Sequence, residues 1–160
     1  MSIIKRAERL HFLNTGTASE PIWSQIGEGF TEFKESKNAV SYQRRYIHEK
    51  TKRTDITGYA PVIDYEFEVY SSNPAIDKIR LISDRELLGD SAKIEVLTVD
   101  MFDEAEEAGC YAAMRREYSV IPDECGEGTD VLCYTGTMKA SGDAVLGKFN
   151  TTTKAFTANT

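Results

Sequence analysis

The sequence predicts a mainly β fold: two packed antiparallel sheets, as a sandwich or barrel, with one flanking α-helix. Three observations support this prediction. Apolar and polar residues alternate with a period of two in several segments. Turn-forming residues recur about every 8–12 positions, a spacing typical of sandwiches and barrels. Helical spacing of apolar residues is clear in one segment, 74–86.

The clearest predicted strand covers residues 61–70. The side chains of a strand point alternately to its two faces. Here one face is apolar, with Ile63, Tyr65, Phe67 and Val69, and the opposite face is acidic, with Asp64, Glu66 and Glu68. A helix would mix these two sets, so the pattern predicts a strand that covers a core with one face only.

The predicted helix begins at Pro74. Asn73 is a typical helix-capping residue, and proline suits the first helical position because its missing N–H would be unpaired there. Isoleucines at three-residue spacing then mark one apolar side: Ile76, Ile79 and Ile82. Gly89 and Asp90 follow the predicted end near residue 86.

The remaining pattern divides a single domain, 1–160, into further segments. Residues 1–25 are predicted to form an N-terminal arm, with Trp23 as a packing anchor. Residues 34–38 are predicted to be a hairpin turn, and residues 48–60 a long inter-strand loop. Other strands are predicted at 40–47, 92–101, 110–121, 131–139, 144–149 and 155–156, which gives seven or eight in all.

Composition excludes several classes of protein. The net charge is −7, and proteins that grip nucleic acid need a basic surface to displace counterions. The number of cysteines, three, is odd, which argues against a disulfide framework. No two of them have C-x-x-C spacing, which argues against a zinc ribbon. No apolar run approaches the roughly 18 residues of a membrane helix. We therefore expect a chain made in a reducing cytoplasm, without a membrane anchor.

Signals of catalysis, metal binding and cofactor binding are absent from the sequence. Neither a G-x-S-x-G elbow nor an H-E-x-x-H zinc motif occurs. The two histidines, His11 and His48, have no recognisable catalytic partner, and the cysteines are expected to be core or edge residues. The acidic runs 103–107 and 123–127 lack the ligand spacing of a calcium loop. We therefore expect no enzymatic activity, no cofactor and no metal.

Two surface features stand out from this background. One is the acidic face of Asp64, Glu66 and Glu68, whose ordinary interpretation is solvation or pairing with Arg45 or Arg115. The other is the basic segment with Lys50, Lys52 and Arg53, whose ordinary interpretation is a mobile surface loop.

Several segments together resemble the tail tube proteins, or major tail proteins, of long-tailed bacteriophages and of related phage-tail-like particles. The segments are 23–29 (WSQIGEG), 46–50 (YIHEK), 55–61 (DITGYAP), 63–68 (IDYEFE), 84–89 (DRELLG) and 146–156 (LGKFNTTTKAF). The resemblance implies two mainly antiparallel sheets with a flanking helix, in agreement with the pattern above. It also implies six-membered rings that stack into a hollow tail tube through which DNA passes into the host.

The resemblance gives the two surface features expected roles. Asp64, Glu66 and Glu68 become candidates for lumen-facing residues, since an acidic wall repels DNA phosphates and avoids specific binding. The long loop becomes the candidate ring-stacking element, with Lys50, Lys52, Arg53, Asp55, Ile56 and Tyr59. Its basic residues would meet acidic turns such as 103–107 or 123–127, and reversing the charge of Lys50, Lys52 and Arg53 is expected to block stacking without unfolding the chain.

The resemblance also implies partners and a location. The partners are other copies of the chain, a tail tip or baseplate initiator, a tape measure protein and a tail terminator. The location is the tail of a virion, after assembly in the cytoplasm of the bacterial host.

Alternative functions remain open at this point. The chain could be the inner tube of a contractile bacteriocin or injection particle instead of a phage tail. A monomeric β-sandwich binding module would need an exposed aromatic cluster, whereas the tyrosines are expected to alternate into strand interiors. An enzyme would need a positioned triad, metal or carboxylate pair.

Overall fold

A computed structural model describes residues 1–126 and 129–160 of the chain. Within them are eleven strands and one α-helix, α1, at Pro74–Asp84. The strands of the first half are β1 (Arg9–Asn14), β2 (Trp23–Ile26), β3 (Phe30–Ser36), β4 (Ala39–Arg44), β5 (Arg53–Tyr59) and β6 (Val62–Glu68). Those of the second half are β7 (Lys93–Glu104), β8 (Cys110–Gly126), β9 (Cys133–Ala140), β10 (Val145–Asn150) and β11 (Ala155–Ala158).

Nine of these strands form one curled antiparallel sheet, and β4 and β5 form a second, two-stranded sheet. The strand order of the large sheet is β2-β1-β7-β8-β9-β6-β3. The long strand β8 is shared, because its residues 110–115 pair with β10 and its residues 118–126 pair with β9. Strand β11 then continues the sheet beyond β10. The prediction of a mainly β fold with two antiparallel sheets and one helix is confirmed.

The two faces of the large sheet carry separate hydrophobic clusters. The larger cluster joins the helix to the sheet, and its fully buried side chains include Leu13, Ile63, Phe67, Ile76, Ile79, Ile94 and Met138. The smaller cluster lies under β10, with Phe12, Trp23, Leu97, Val99, Ala113 and Phe149. Trp23 is therefore the packing anchor that the sequence predicts, at 4% exposure.

Helix α1 forms where its cap and its apolar stripe predict it. The Asn73 side chain accepts a hydrogen bond from the Ile76 backbone N–H at 3.3 Å, and Pro74 occupies the first turn. The buried side consists of Ala75, Ile76, Ile79 and Ile82. On its outer side, the Lys78 ammonium donates to the Asn14 carbonyl at 2.7 Å, which ties the helix to β1.

The prediction of an N-terminal arm over residues 1–25 is wrong. Strand β1 pairs with both β2 and β7, so it lies inside the sheet. Phe12 and Leu13 are buried there, and so is His11, which the sequence interpretation placed in the arm. The polar residues 15–20, which suggested an arm, belong to the connection between β1 and β2.

Strand β3 brings its free edge close to β1, so that the sheet curls almost onto itself. The His11 and Phe33 rings lie 4.7 Å apart between centroids. A short 3₁₀ turn at Arg6–Glu8 crosses this seam, and Arg6 donates to the backbone carbonyls of Arg9 at 2.9 Å and Phe33 at 3.3 Å. The contacts of His11 and Arg6 thus bridge the seam between β1 and β3.

His11 makes the stability of this seam dependent on pH. Burial, and secondarily the nearby Arg6 and Arg9 charges, lower the pKa of His11 from 6.5 to about 4. Between these values the unfolded chain binds the proton and the native chain does not, so stability is lost as the pH falls from 6.5 towards 4. We expect this loss to reach about 3 kcal/mol, and to be absent from His11→Gln. Urea unfolding of both proteins at pH 7 and pH 4.5 measures it, and equal pH dependence in the two would contradict it.

Candidate assembly surfaces

The feature that dominates the surface is a projecting ribbon formed by β4, β5 and the tip residues 45–52 between them. The chain leaves the large sheet after β3 and re-enters it at β6, and Ser36 pairs with Val62 at that point. Ala39 then pairs with Tyr59, and Arg44 with Arg53. Six paired residues make a ribbon strand about 20 Å long.

The ribbon corrects the prediction of a long loop at 48–60. Residues 53–59 are strand β5, and only 45–52 form a loop. The predicted turn at 34–38 is also wrong, because the chain does not reverse there; β3 runs to Ser36 and β4 continues from Ala39. Asn38 makes the joint, with a φ of 46° and a side-chain hydrogen bond to the Ala60 carbonyl at 3.1 Å. Asparagine tolerates this left-handed conformation better than most residues.

Both faces of the ribbon are exposed, so its apolar side chains cover no core of their own chain. Val40, Tyr42, Tyr46, Ile56 and Tyr59 are each 51–59% exposed, and Ile47 at the tip is fully exposed. The expectation that the tyrosines lie in strand interiors is therefore wrong for those of the ribbon. It is correct for the buried rings of Tyr65, Tyr118 and Tyr134. Apolar groups on a projecting element indicate a contact surface.

The ribbon tip is ordered by its own side chains. Arg53 Nε donates to Glu49 Oε2 at 3.0 Å, and its Nη2 forms an ion pair with Glu49 Oε1 at 2.9 Å. The guanidinium of Arg53 lies 5.7 Å from the centroid of the Tyr46 ring. The rings of Tyr46 and His48 stack at 6.4 Å. These contacts are all within the ribbon tip and strand β5.

The predicted stacking residues fall into two groups in this geometry. Arg53 and Asp55 have partners within the ribbon, since Asp55 forms an ion pair with Arg44. Lys50 and Lys52 are exposed and form no ion pair with any described residue. Ile56 and Tyr59 expose apolar surface from β5. Sequence reasoning missed Tyr42 and Tyr46 as surface residues, because their alternation resembled that of a core strand.

The acidic face of β6 is where the sequence predicts it, on the side of the strand opposite the core. Asp64, Glu66 and Glu68 are half-buried and alternate with the buried Ile63, Tyr65 and Phe67. The facing positions on β3 are Lys34, opposite Asp64, and Glu32, opposite Glu66. On β9, Thr137 and Thr135 face the same two carboxylates.

The two arginines considered as partners of this face lie elsewhere. Arg45 follows the end of β4, in the ribbon tip. Arg115 pairs across the sheet with Leu97 and Val145, and its guanidinium lies over the Phe156 ring at 5.3 Å. No ion pair joins Asp64, Glu66 or Glu68 to any described cation.

Residues 123–126 of β8 border a groove beside Glu66. The groove has a volume of about 440 Å³ and is lined by Glu66, Asp123, Glu124, Cys125, Gly126, Cys133 and Thr135. The Glu124 backbone N–H donates to the Thr135 hydroxyl at 3.2 Å. We call this site the acidic groove. The predicted acidic turn 123–127 extends beyond it to Glu127, which lies outside the described residues.

The other acidic turn, 103–107, is partly neutralised within the chain. Lys148 donates to Glu107 at 2.6 Å and holds the pKa of that carboxyl below its usual value. Arg9 forms a two-point contact with the nearby Asp100, at 2.6 and 3.1 Å. The acidic groove therefore has the less compensated charge of the two.

A larger cavity, of about 630 Å³, opens at the seam between β3 and the β1–β7–β8 region. Its charged lining is already paired in part, as Arg9 with Asp100 and Lys37 with Glu35. In the described part of the chain, no group of three His, Cys, Asp or Glu side chains is arranged to hold a metal ion. Among the same residues, no helix has the length and apolarity needed to cross a membrane.

Comparison with known proteins finds likeness at the level of structure. No protein-family model and no curated protein matches the chain. Twelve chains of solved structures match it. One belongs to the cryo-EM structure of the anti-feeding prophage baseplate, 6-fold symmetrised, with a TM-score of 0.56 and 15% sequence identity. The alignment covers 91% of this chain and 97% of that one. At this identity the likeness defines a shared fold.

Proposed function

We propose that this protein is a structural, non-catalytic subunit of a phage-tail-like particle, and that it assembles with copies of itself into stacked hexameric rings around a hollow tube. The observation that carries the proposal is the shared fold over 97% of a chain from a six-fold symmetrised baseplate. The likeness includes nearly all of both chains, so it concerns the complete architecture and not one common motif.

The projecting ribbon supports the same proposal independently. A two-stranded ribbon with both faces exposed gains little stability from its own chain. Its exposed tyrosines and isoleucines would lose contact with water only against another molecule. In a stacked ring that molecule is the neighbouring copy, and assembly would also cover free sheet edges.

Two kinds of particle are consistent with this proposal. One is a bacteriophage tail whose tube conducts DNA into the host. The other is the inner tube of a contractile bacteriocin or injection particle, and the likeness to a chain of the anti-feeding prophage baseplate favours it. Both would require an initiator at the tail tip or baseplate, a terminator and a tape measure protein.

The acidic face of β6 would form the wall of the tube. Asp64, Glu66 and Glu68 point away from the core, and Glu32 adds a further carboxylate opposite Glu66. A wall of this sign repels phosphates, so DNA or another acidic cargo would pass without specific binding. The net charge of −7 is consistent with such a conduit.

Electron microscopy of the purified protein at high concentration, with mass photometry of the same sample, tests the proposal. We expect rings with a central hole that stack at high concentration. The double variant Lys50→Glu/Lys52→Glu should keep the fold but fail to stack, since neither lysine has a partner within the chain. Arg53 is left unchanged, because its reversal would also break the contact with Glu49.

A monomer that stays monomeric when tail-tip seeds are added would contradict the proposal. It would favour the alternative of a β-sandwich binding module, for which the exposed tyrosines of the ribbon supply an aromatic surface.

A further inference from the structure

The inward side of the curled sheet is apolar over most of its length and polar at one end. The larger hydrophobic cluster joins this side to helix α1. At the polar end, charged, polar and small residues leave the cavity of about 630 Å³ between β3 and the β1–β7–β8 region. We call this space the seam cavity. Small-molecule sites in proteins have volumes of about 300–1,000 Å³, so its size suits a small organic ligand.

The lining of the seam cavity is held in place by paired strands. His11 pairs with Thr98 across β1 and β7, and Thr98 pairs with Met114 across β7 and β8. Side chains of paired residues lie next to one another on the same side of a sheet. The Nδ1 atom of His11 is 3.2 Å from the Thr98 hydroxyl, and its ring contacts Phe33 of β3. The cavity is therefore built on regular elements and not on loops.

The charges that line the seam cavity do not cancel. Two of its cations form ion pairs with its two carboxylates. The other two, Arg6 and Lys34, form no ion pair with any described residue. His11 is neutral at pH 7, because burial lowers its pKa to about 4. Four cations and two carboxylates thus leave an excess of two positive charges, in a chain whose net charge is −7: Arg6, Arg9, Lys34, Lys37, Glu35 and Asp100.

Arg116 adds a positive charge next to this lining. It follows Met114 by two residues along β8, so both side chains lie on the same side of the sheet. Its Nε and Nη1 atoms are buried without a hydrogen-bond partner among the described residues. The Tyr118 hydroxyl remains protonated and does not neutralise it, since burial and the nearby Glu35 raise the pKa of Tyr118 to about 12. A buried guanidinium with unpaired donors favours a negative group nearby.

The remaining lining of the seam cavity is apolar. A ligand that fits it must therefore combine an apolar body with negative charge. Arg6 is suited to a carboxylate, because a guanidinium can donate two parallel hydrogen bonds to it. Arg6 already donates to two backbone carbonyls, but a guanidinium has further N–H donors. The apolar residues of the lining are Phe33, Ala112, Ala113, Met114 and Leu146.

We propose that the seam cavity binds a small organic anion, a carboxylate attached to an apolar chain or ring. The carboxylate would accept hydrogen bonds from Arg6 and Lys34, and the apolar body would lie against Phe33, Ala112 and Met114. The ligand would contact β3 and β8 together and so stabilise the seam. This site goes beyond the proposed assembly and uses none of the ribbon residues.

Octanoate is the probe for this site, and octanol is its uncharged match. Anilinonaphthalene sulfonate, which joins an aromatic body to an anion, reports binding by its fluorescence. Octanoate should displace it from the full chain saturably. Octanol should displace it at least about tenfold more weakly, because it lacks the charge-assisted hydrogen bonds. Equal displacement by the two probes would show apolar contact alone and overturn the proposal, as would no displacement by octanoate.

Substitutions inside and outside the cavity supply a second test. Arg6→Gln/Lys34→Gln should weaken octanoate binding at least about tenfold. Lys50→Gln/Lys52→Gln is the matched control, because it removes the same amount of charge from the ribbon tip, and it should leave binding unchanged. Ala112→Phe should abolish binding by filling the cavity. Equal weakening by the two double variants would show a general effect of charge and overturn the proposal.

Backbone amide NMR of the unsubstituted chain locates the probe, so the conclusion does not depend on how well any variant folds. Octanoate should shift the amide signals of residues 9–11, 98–100 and 112–114, which surround the seam cavity. Octanol at the same concentration should shift them much less. Octanoate shifts that centre on the ribbon, residues 39–59, would overturn the proposal.

Discussion

Replacing Phe67 by alanine is expected to lower the free energy of unfolding by about 3–5 kcal/mol. Phe67 is fully buried in the larger cluster. Its ring lies 5.2 Å from Phe30, 5.9 Å from Tyr65 and 5.4 Å from Tyr134, between centroids. Truncation leaves a cavity among three rings that are fixed on different strands, so the site cannot collapse easily. Urea unfolding followed by circular dichroism measures the loss.

Tyr42→Ala is the matched control for an aromatic truncation. Tyr42 lies on the ribbon, 55% exposed, with Arg44 5.8 Å from its ring centroid. An exposed cation–π contact contributes about 0.5–1 kcal/mol, so the loss should not exceed about 1 kcal/mol. Similar losses for Phe67→Ala and Tyr42→Ala would show that the ribbon packs on the core, contrary to the structure.

Alternation was a reliable guide where one face of a strand meets the core. Strand β6 was predicted almost to the residue, because its buried Ile63, Tyr65 and Phe67 alternate with carboxylates. Helix α1 was predicted for a similar reason, since its cap at Asn73 and its isoleucine stripe agree with each other. Local chemistry and burial point to the same structure in both elements.

The same alternation misled the interpretation of β4. Val40, Tyr42 and Tyr46 have the spacing of a buried face, yet each is at least 51% exposed. A strand that buries its apolar face in another molecule has the same sequence pattern as one that buries it in its own core. The sequence therefore predicted apolar contact but not whether the contact is within or between chains.

The pairing of strands that are far apart in the sequence could not be predicted either. Strand β1 lies between β2 and β7, and its pairing joins His11 to Thr98 in register. Nothing local to residues 9–14 distinguishes such a central strand from an ordered part of an arm. The acidic groove likewise combines Glu66 with Asp123 and Glu124, which only the pairing of β6, β9 and β8 brings together.

Removing the ribbon should separate folding from assembly more completely than any point substitution. Residues 40–58 would be replaced by Asn-Gly, which closes the paired residues Ala39 and Tyr59 with a two-residue hairpin turn. Asn38, Ala60 and the joint to β6 remain. Because the removed residues are almost all exposed and belong to neither hydrophobic cluster, the unfolding free energy should change by no more than about 1 kcal/mol. Stacking should be lost entirely, since the variant lacks both the lysines and the apolar tip.

Urea unfolding and electron microscopy of this variant test both halves of the expectation. Stacked rings like those of the intact chain would exclude the ribbon as the assembly element. A large fall in stability would show that the ribbon supports the fold, and Tyr46→Ser/Ile47→Ser would then test assembly while the ribbon backbone is kept. Both side chains lie at the tip and are exposed, so this double variant should retain its stability and stack more weakly. Under the proposed function, each copy would use the charge of the ribbon for register and its apolar tip for affinity, while the curled sheet and helix α1 maintain the fold.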